Sequence, residues 1–155
     1  MSESHAIRIL LVEDDASDVS LTLRVLKKAN LCNHVEIVRD GAEALALVFR
    51  EGIFADRSAD DDPTLILLDL KLPKVHGLEI IERLQSDARA RSIPIIVISG
   101  SKDHPDVIES LKMGAKAYLR KPLTFVDFIK ALGPIGVSVT LMGGPPHRFA
   151  EYANG

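Results

Sequence analysis

The chain has 155 residues, 46% apolar and 26% charged, with a formal net charge of −3. That length suits one domain with a full core, and the balance excludes a disordered or fibrous chain. The slight acidity excludes a basic footprint for nucleic acid or anionic lipid, and no apolar stretch approaches the ~18 residues of a membrane span.

Ile7–Val12 (IRILLV) opens the first of five apolar runs, nearly continuous and rich in branched residues. Such runs read as central parallel strands buried on both faces. Glu13-Asp14-Asp15 ends it, and Leu21, Val25 and Leu26 then recur at helical spacing, with Ser17 or Asp18 expected to cap the helix. Val35–Val38 is the second run, followed by a helix carrying Ala44, Leu45 and Val48. Gly52–Pro63 (GIFADRSADDDP) reads as a long surface loop before the third run, Leu65–Leu68, which stops at Asp69. Leu78, Ile81 and Leu84 mark the next helix. The fourth run, Ile93–Ile98, ends in Ser99-Gly100-Ser101. Val107 and Leu111 predict a helix that Gly114 stops. Ala117–Leu119 is the fifth run, ending in Arg120-Lys121-Pro122, and Phe128, Ile129 and Leu132 belong to the last helix. Five strand–helix alternations imply an α/β layered domain with a parallel sheet and right-handed crossovers. The domain is expected over 6–132, with a glycine- and proline-rich tail over 133–155.

The polar residues gather where the buried runs stop. In an open parallel sheet, ligands bind outside the carboxyl ends of the strands, so four clusters are expected on one edge. Close carboxylates such as Glu13, Asp14 and Asp69 repel one another unless a hard divalent cation, Mg²⁺ among them, neutralises them. An Asp carboxylate can also attack phosphorus to give an acyl phosphate. Lys121 offers a compact positive charge and Ser99 a hydroxyl for a phosphoryl oxygen. Taken singly each has a plainer reading: an acidic pair after a strand commonly caps a helix, Ser99 is a loop hydroxyl and Lys121 a solvated charge. Their joint order, each at a strand terminus, favours one phosphate-handling site.

The stretches LLVEDD, LLDLKLPKVHG, IIVISGS and GAKAYLRKP resemble the four signature stretches of response-regulator receiver domains, over roughly Ile7 to Leu132. The resemblance implies a flavodoxin-like five-stranded sheet in the order 2-1-3-4-5 with helices on both faces. It implies Asp69 as phosphoacceptor, Asp14 as direct metal ligand and Glu13 as the acid holding metal-bound water. Lys71 would offer its backbone carbonyl to the Mg²⁺ ion. Lys121 would bind the phosphoryl group, Ser99 would be the switch hydroxyl and Tyr118 the aromatic switch residue. A cis peptide before Pro122 is likewise implied. Glu13 stands where Asp is more usual, and Ser99 where Thr is. Lys71 and Ser101, two residues beyond Asp69 and Ser99, match positions that in the family these stretches resemble tune phosphoryl lifetime. The long loop before the third strand and the short tail are most similar to stand-alone regulators paired with bacterial phytochromes.

The implied function is a single-domain two-component response regulator, phosphorylated by a sensor histidine kinase, with a phytochrome-type kinase implied by the likeness to phytochrome-paired regulators. Its signal would leave through a downstream protein or a phosphotransfer partner, since the tail is too short for a DNA-binding module. Two alternatives compete. An aspartyl phosphatase of the haloacid-dehalogenase kind needs a second Asp two residues after its nucleophile, where Lys71 stands. A receiver-like scaffold that never carries phosphate would not need the full set of Glu13, Asp14, Asp69, Ser99 and Lys121. Cys32 cannot close an internal disulfide, and MSESHAIRILLV has no signal-peptide pattern, so the expected compartment is the cytoplasm. Cys32 itself is read as a small residue in a turn, and the five histidines show no metal-ligand spacing.

In the tail, Ile135, Val137, Val139 and Leu141 alternate with Gly136, Ser138 and Thr140. Period-two alternation predicts an extended segment with one face to bury, bounded by Pro134 and by Gly143-Gly144-Pro145-Pro146. That face would lie on the domain's own surface or on a second copy of the chain. The second choice makes the tail an arm of a homodimer, beside the face of the fourth helix, fifth strand and fifth helix.

Overall fold

A computed structural model describes residues 7–31, 34–100, 104–135, 138–140 and 146–148. Five strands form a parallel sheet: β1 (Ile9–Val12), β2 (Val35–Val38), β3 (Leu65–Asp69), β4 (Ile95–Ser99) and β5 (Ala117–Arg120). Their order is β2-β1-β3-β4-β5, the flavodoxin-like arrangement expected. Five helices alternate with them: α1 (Ala16–Lys28), α2 (Gly41–Phe49), α3 (Gly77–Gln85), α4 (His104–Met113) and α5 (Phe125–Leu132).

The strands read as unbroken apolar runs because both faces are covered, and their period of two sorts the core. Ile9, Leu11, Leu65, Leu67, Ile96 and Ile98 face α1 and α5, packing on Val25, Leu26, Phe128, Ile129 and Leu132. Leu10, Val12, Ile66, Leu68, Ile95 and Val97 face the other way, onto α2, α3 and α4. Each face buries complete Leu and Ile side chains, each contributing roughly 1.5–3 kcal/mol. The stop predicted at Gly114 is present, with φ +125° where a side chain would be strained.

The structure corrects the expected α1 cap and several helix faces. Asp15, not Ser17 or Asp18, caps α1, its Oδ1 accepting the Asp18 amide at 2.9 Å. On α1 the buried face is Val19, Thr22, Val25 and Leu26, while Leu21 is exposed. A threonine turned inward hid the true phase. Ile80 takes the buried place expected of Leu78, which packs at the core's margin. On α4 Val107 is buried but Leu111 is exposed.

The 52–63 connection is more ordered than a surface loop. It closes two 3₁₀ turns, Gly52–Phe54 and Ala59–Asp61. Arg57 grips Glu36 of β2 with two bonds, 2.6 and 2.9 Å, and also donates to the Asp61 carbonyl. Arg50 and Arg89 share Asp62 at 2.8 and 2.9 Å. Paired, forked arginines fix geometry better than isolated surface charges do.

In the tail, α5 runs on into a 3₁₀ turn at Gly133–Ile135, so the extended segment begins later than expected. Ser138–Thr140 (β6) is extended, and it pairs antiparallel with Pro146–Arg148 (β7). Local pairing thus supplies the strand's hydrogen bonds. Gly136, Val137, Leu141 and Gly143-Gly144-Pro145 lie outside the described residues, as do Cys32 and Ser101.

Candidate functional site

Strand register brings the acidic residues together. Val12 is level with Leu68, so Glu13 and Asp69 come one step later on neighbouring strands. Glu13 continues the β1 ladder, its amide donating to the Val38 carbonyl at 3.0 Å. Both residues share the parity of the apolar positions that face α1 and α5. Both are buried, whereas Asp14 is exposed. Carboxylate oxygens of Glu13, Asp14 and Asp69 all lie within 4.8 Å of one another.

Lys121 comes to the same face from just beyond β5, its amide donating to the Ser99 carbonyl at 2.9 Å. Its ammonium donates to Asp69 Oδ2 at 3.1 Å and to Asp18 Oδ2 at 2.9 Å, and pairs with Glu13 Oε1 at 3.1 Å. The Lys121–Pro122 peptide is cis. Asp69 Oδ1 accepts the backbone amide of Lys71 at 3.0 Å. The turn after Asp69 is held by a close approach: the Gly77 amide donates to Leu70 O at 3.1 Å, and a Cβ on Gly77 would meet Leu70 Cα at 2.6 Å.

Charge in this pocket is unbalanced. Burial pushes the Glu13 carboxyl up to about 7, and its hydrogen bond to Asp69 and that residue's charge push the same way against Lys121. Burial alone would lower the Lys121 pKa, but the Asp18 hydrogen bond, the Asp69 charge and Glu13 outweigh it and raise it. One ammonium thus serves several carboxylates. A compact set of anionic oxygen donors, two of them buried and one protonating near neutrality, fits a hard divalent cation.

Ser99 and Tyr118 lie on β4 and β5, the strands next to β3 and leading to Lys121. Ser99 is fully buried at the end of β4, its hydroxyl 3.4 Å from the Gly100 carbonyl. Tyr118 packs on the opposite side of the sheet, with the core that includes Val107, and its hydroxyl reaches the Ser99 carbonyl at 3.5 Å. That is the long limit of a hydrogen bond. The residue that the sequence reading missed is Asp18. Its partner lies 103 positions away, and its place in a first helical turn suggested only a cap.

The model of the response regulator receiver domain family matches residues 9–133. Response regulator Rcp1 of Synechocystis sp. is 35% identical over 122 residues, covering 79% of this chain and 81% of its own. A solved structure of Rcp1 in an Mn²⁺-bound form has a TM-score of 0.69 at 34% identity, over 83% of this chain and 91% of its own. The bacteriophytochrome response regulator RtBRR gives a TM-score of 0.78 at 41% identity, over 96% of this chain and 89% of its own. The phosphorylated cyanobacterial phytochrome response regulator RcpA gives 0.69 at 34% identity, over 83% and 90%.

Proposed function

The chain belongs to the response-regulator receiver family, and from that premise we propose that Asp69 accepts a phosphoryl group from the histidine kinase of a bacterial phytochrome. An Asp69 oxygen attacks phosphorus; the new O–P bond forms as the P–N bond of the phosphohistidine breaks and the imidazole leaves. The observation that carries this reading is the meeting of Asp69 with Lys121 at 3.1 Å inside the three-carboxylate cluster. Lys121 offsets the charge that builds on the phosphoryl oxygens. Glu13, Asp14 and Asp69, with the Lys71 carbonyl, would hold Mg²⁺. Bound there, the ion polarises phosphoryl oxygens and offsets the anionic charge of the pocket. The Mn²⁺-bound relative and the phytochrome regulators among the relatives support both halves of the proposal.

Incubation with a small phosphodonor and Mg²⁺ is expected to add one base-labile phosphoryl group, read as a single mass increment. Chelating the metal should stop the reaction. Labelling of equal rate and extent in excess chelator would refute the metal's part.

The proposed output is a switch in the surface of α4, β5 and α5. The phosphoryl group draws the Ser99 hydroxyl inward, and Tyr118 moves into the space released. Ile108 and Leu111 on α4 and Val126 on α5 are exposed apolar residues on this part of the surface, which suits a protein partner. Backbone NMR shifts on phosphorylation should therefore concentrate between 104 and 132. Shifts confined to α1 would contradict the switch.

The tail is proposed as an arm in a homodimer. A lone two-stranded ribbon is marginal in water, so the β6–β7 pair needs a surface to lie on. The likeness to RtBRR covers a share of the chain too large to leave the tail out. Truncation after Gly133 is expected to shift sedimentation from dimer to monomer. A truncated protein that keeps the full-length protein's oligomeric state would remove the tail from assembly.

A further inference from the structure

An ammonium has three hydrogens, and Lys121 has three carboxylates around it: Asp18 at 2.9 Å, Asp69 at 3.1 Å and Glu13 at 3.1 Å. Two of these belong to the acidic cluster with Asp14. Asp18 does not. It sits in the first turn of α1, where its amide is fastened to the capping Asp15 carboxylate at 2.9 Å. Its carboxylate approaches Lys121 from the helix side. A lysine has a long flexible stem and no directional fork, so its head stands where its partners put it.

The two cluster carboxylates are poor anchors for that head. Asp69 is the group that reacts, and its oxygen changes charge and partners when phosphorus bonds to it. Glu13 belongs to the acidic cluster read as the metal site, so a bound cation would compete with Lys121 for its oxygens. Asp18 has neither duty and is fixed to a helix by its backbone.

We propose that Asp18 is the positioning residue for Lys121, tethering the ammonium to the first turn of α1 so that it stays beside Asp69 through phosphoryl transfer. The inference rests on the reading of Asp69 as phosphoacceptor. It concerns placement and not stability, because a partly exposed ion pair adds little to folding. Asparagine at position 18 keeps an acceptor oxygen and the shape but loses the charge; alanine loses both.

The test has two readouts. In the metal-free protein, ¹⁵N and ¹³C relaxation of the Lys121 side-chain terminus reports its mobility. Most restraint is expected in the parent, less in Asp18→Asn and least in Asp18→Ala, where only Asp69 and Glu13 remain at 3.1 Å. The second readout is the initial rate with acetyl phosphate and Mg²⁺. Asp18→Ala should slow it by about tenfold and Asp18→Asn by about two- to threefold, as expected for losing a charge-assisted bond at the reacting centre. In a Lys121→Met background, Asp18→Ala should change nothing further, because the effect passes through Lys121. A Lys121 terminus equally restrained in Asp18→Ala overturns the proposal, as does a tenfold loss that persists in Lys121→Met. If the parent takes no phosphoryl group on Asp69, the phosphoacceptor reading fails while the relaxation data still decide the tether.

Discussion

Asp69→Asn is expected to fold as the parent does and to take up no phosphoryl group. The amide is nearly the same shape: its oxygen can keep the bond that Asp69 Oδ1 accepts from the Lys71 amide at 3.0 Å, while the bond that Oδ2 accepts from Lys121 at 3.1 Å goes with the second oxygen. What it lacks is a charged, nucleophilic oxygen. Loss of a nucleophile costs on the order of 10³-fold or more in rate, so labelling should drop below detection. The variant also removes one negative charge from a crowded pocket, so its metal-free thermal midpoint should not fall. Intact-mass spectrometry beside a melting curve checks both points. Unchanged labelling in the variant would place the acceptor elsewhere.

Glu13→Gln is expected to stabilise the metal-free protein at alkaline pH. The folded-state pKa of Glu13, about 7, lies above its ordinary value of 4.5. Between those values the native state binds more protons than the unfolded chain, so stability falls as pH rises through that window. Above about pH 7 the carboxylate is buried and ionised, and the cost is complete. Glutamine has no proton to lose, and its side chain can still accept from the Asp15 amide, 3.2 Å from Glu13 in the parent. The variant should gain on the order of 1–3 kcal/mol at pH 8 relative to the parent, and little near pH 4. Urea denaturation at the two pH values measures the difference. Mg²⁺ should narrow the gap by stabilising the parent more, since binding draws on the ionised Glu13. An equal effect of the substitution at both pH values would mean that Glu13 does not titrate in this window.

The fold was legible because its signals are local and agree. Apolar runs of three to six residues, each ended by polar residues, gave all five strands to within about two residues, as expected where boundaries are the weakest point. Asp69 was legible for the same reason: LILL leads it out of a buried strand. The phase of α1 was not, because Thr22 is buried and Leu21 is exposed, against their hydrophobicity. The order in the 52–63 connection was hidden too. Arg57, Asp61 and Asp62 look like solvated charges until Glu36, Arg50 and Arg89 are brought to them by the fold. Asp18 failed for a similar reason, since only the folded chain brings Lys121, just beyond β5, to the first turn of α1. In the tail the extended backbone of Ser138–Thr140 was readable, but not its pairing with Pro146–Arg148.

The pocket is proposed to make an acyl phosphate on one particular carboxylate. Borohydride reduction of the phosphorylated protein converts an aspartyl phosphate to homoserine, and peptide mass mapping then locates it. Homoserine is expected at position 69 alone, in samples phosphorylated in the presence of Mg²⁺. Homoserine at position 14 or 18, or a phosphoryl group that maps to a histidine and yields none, would contradict it.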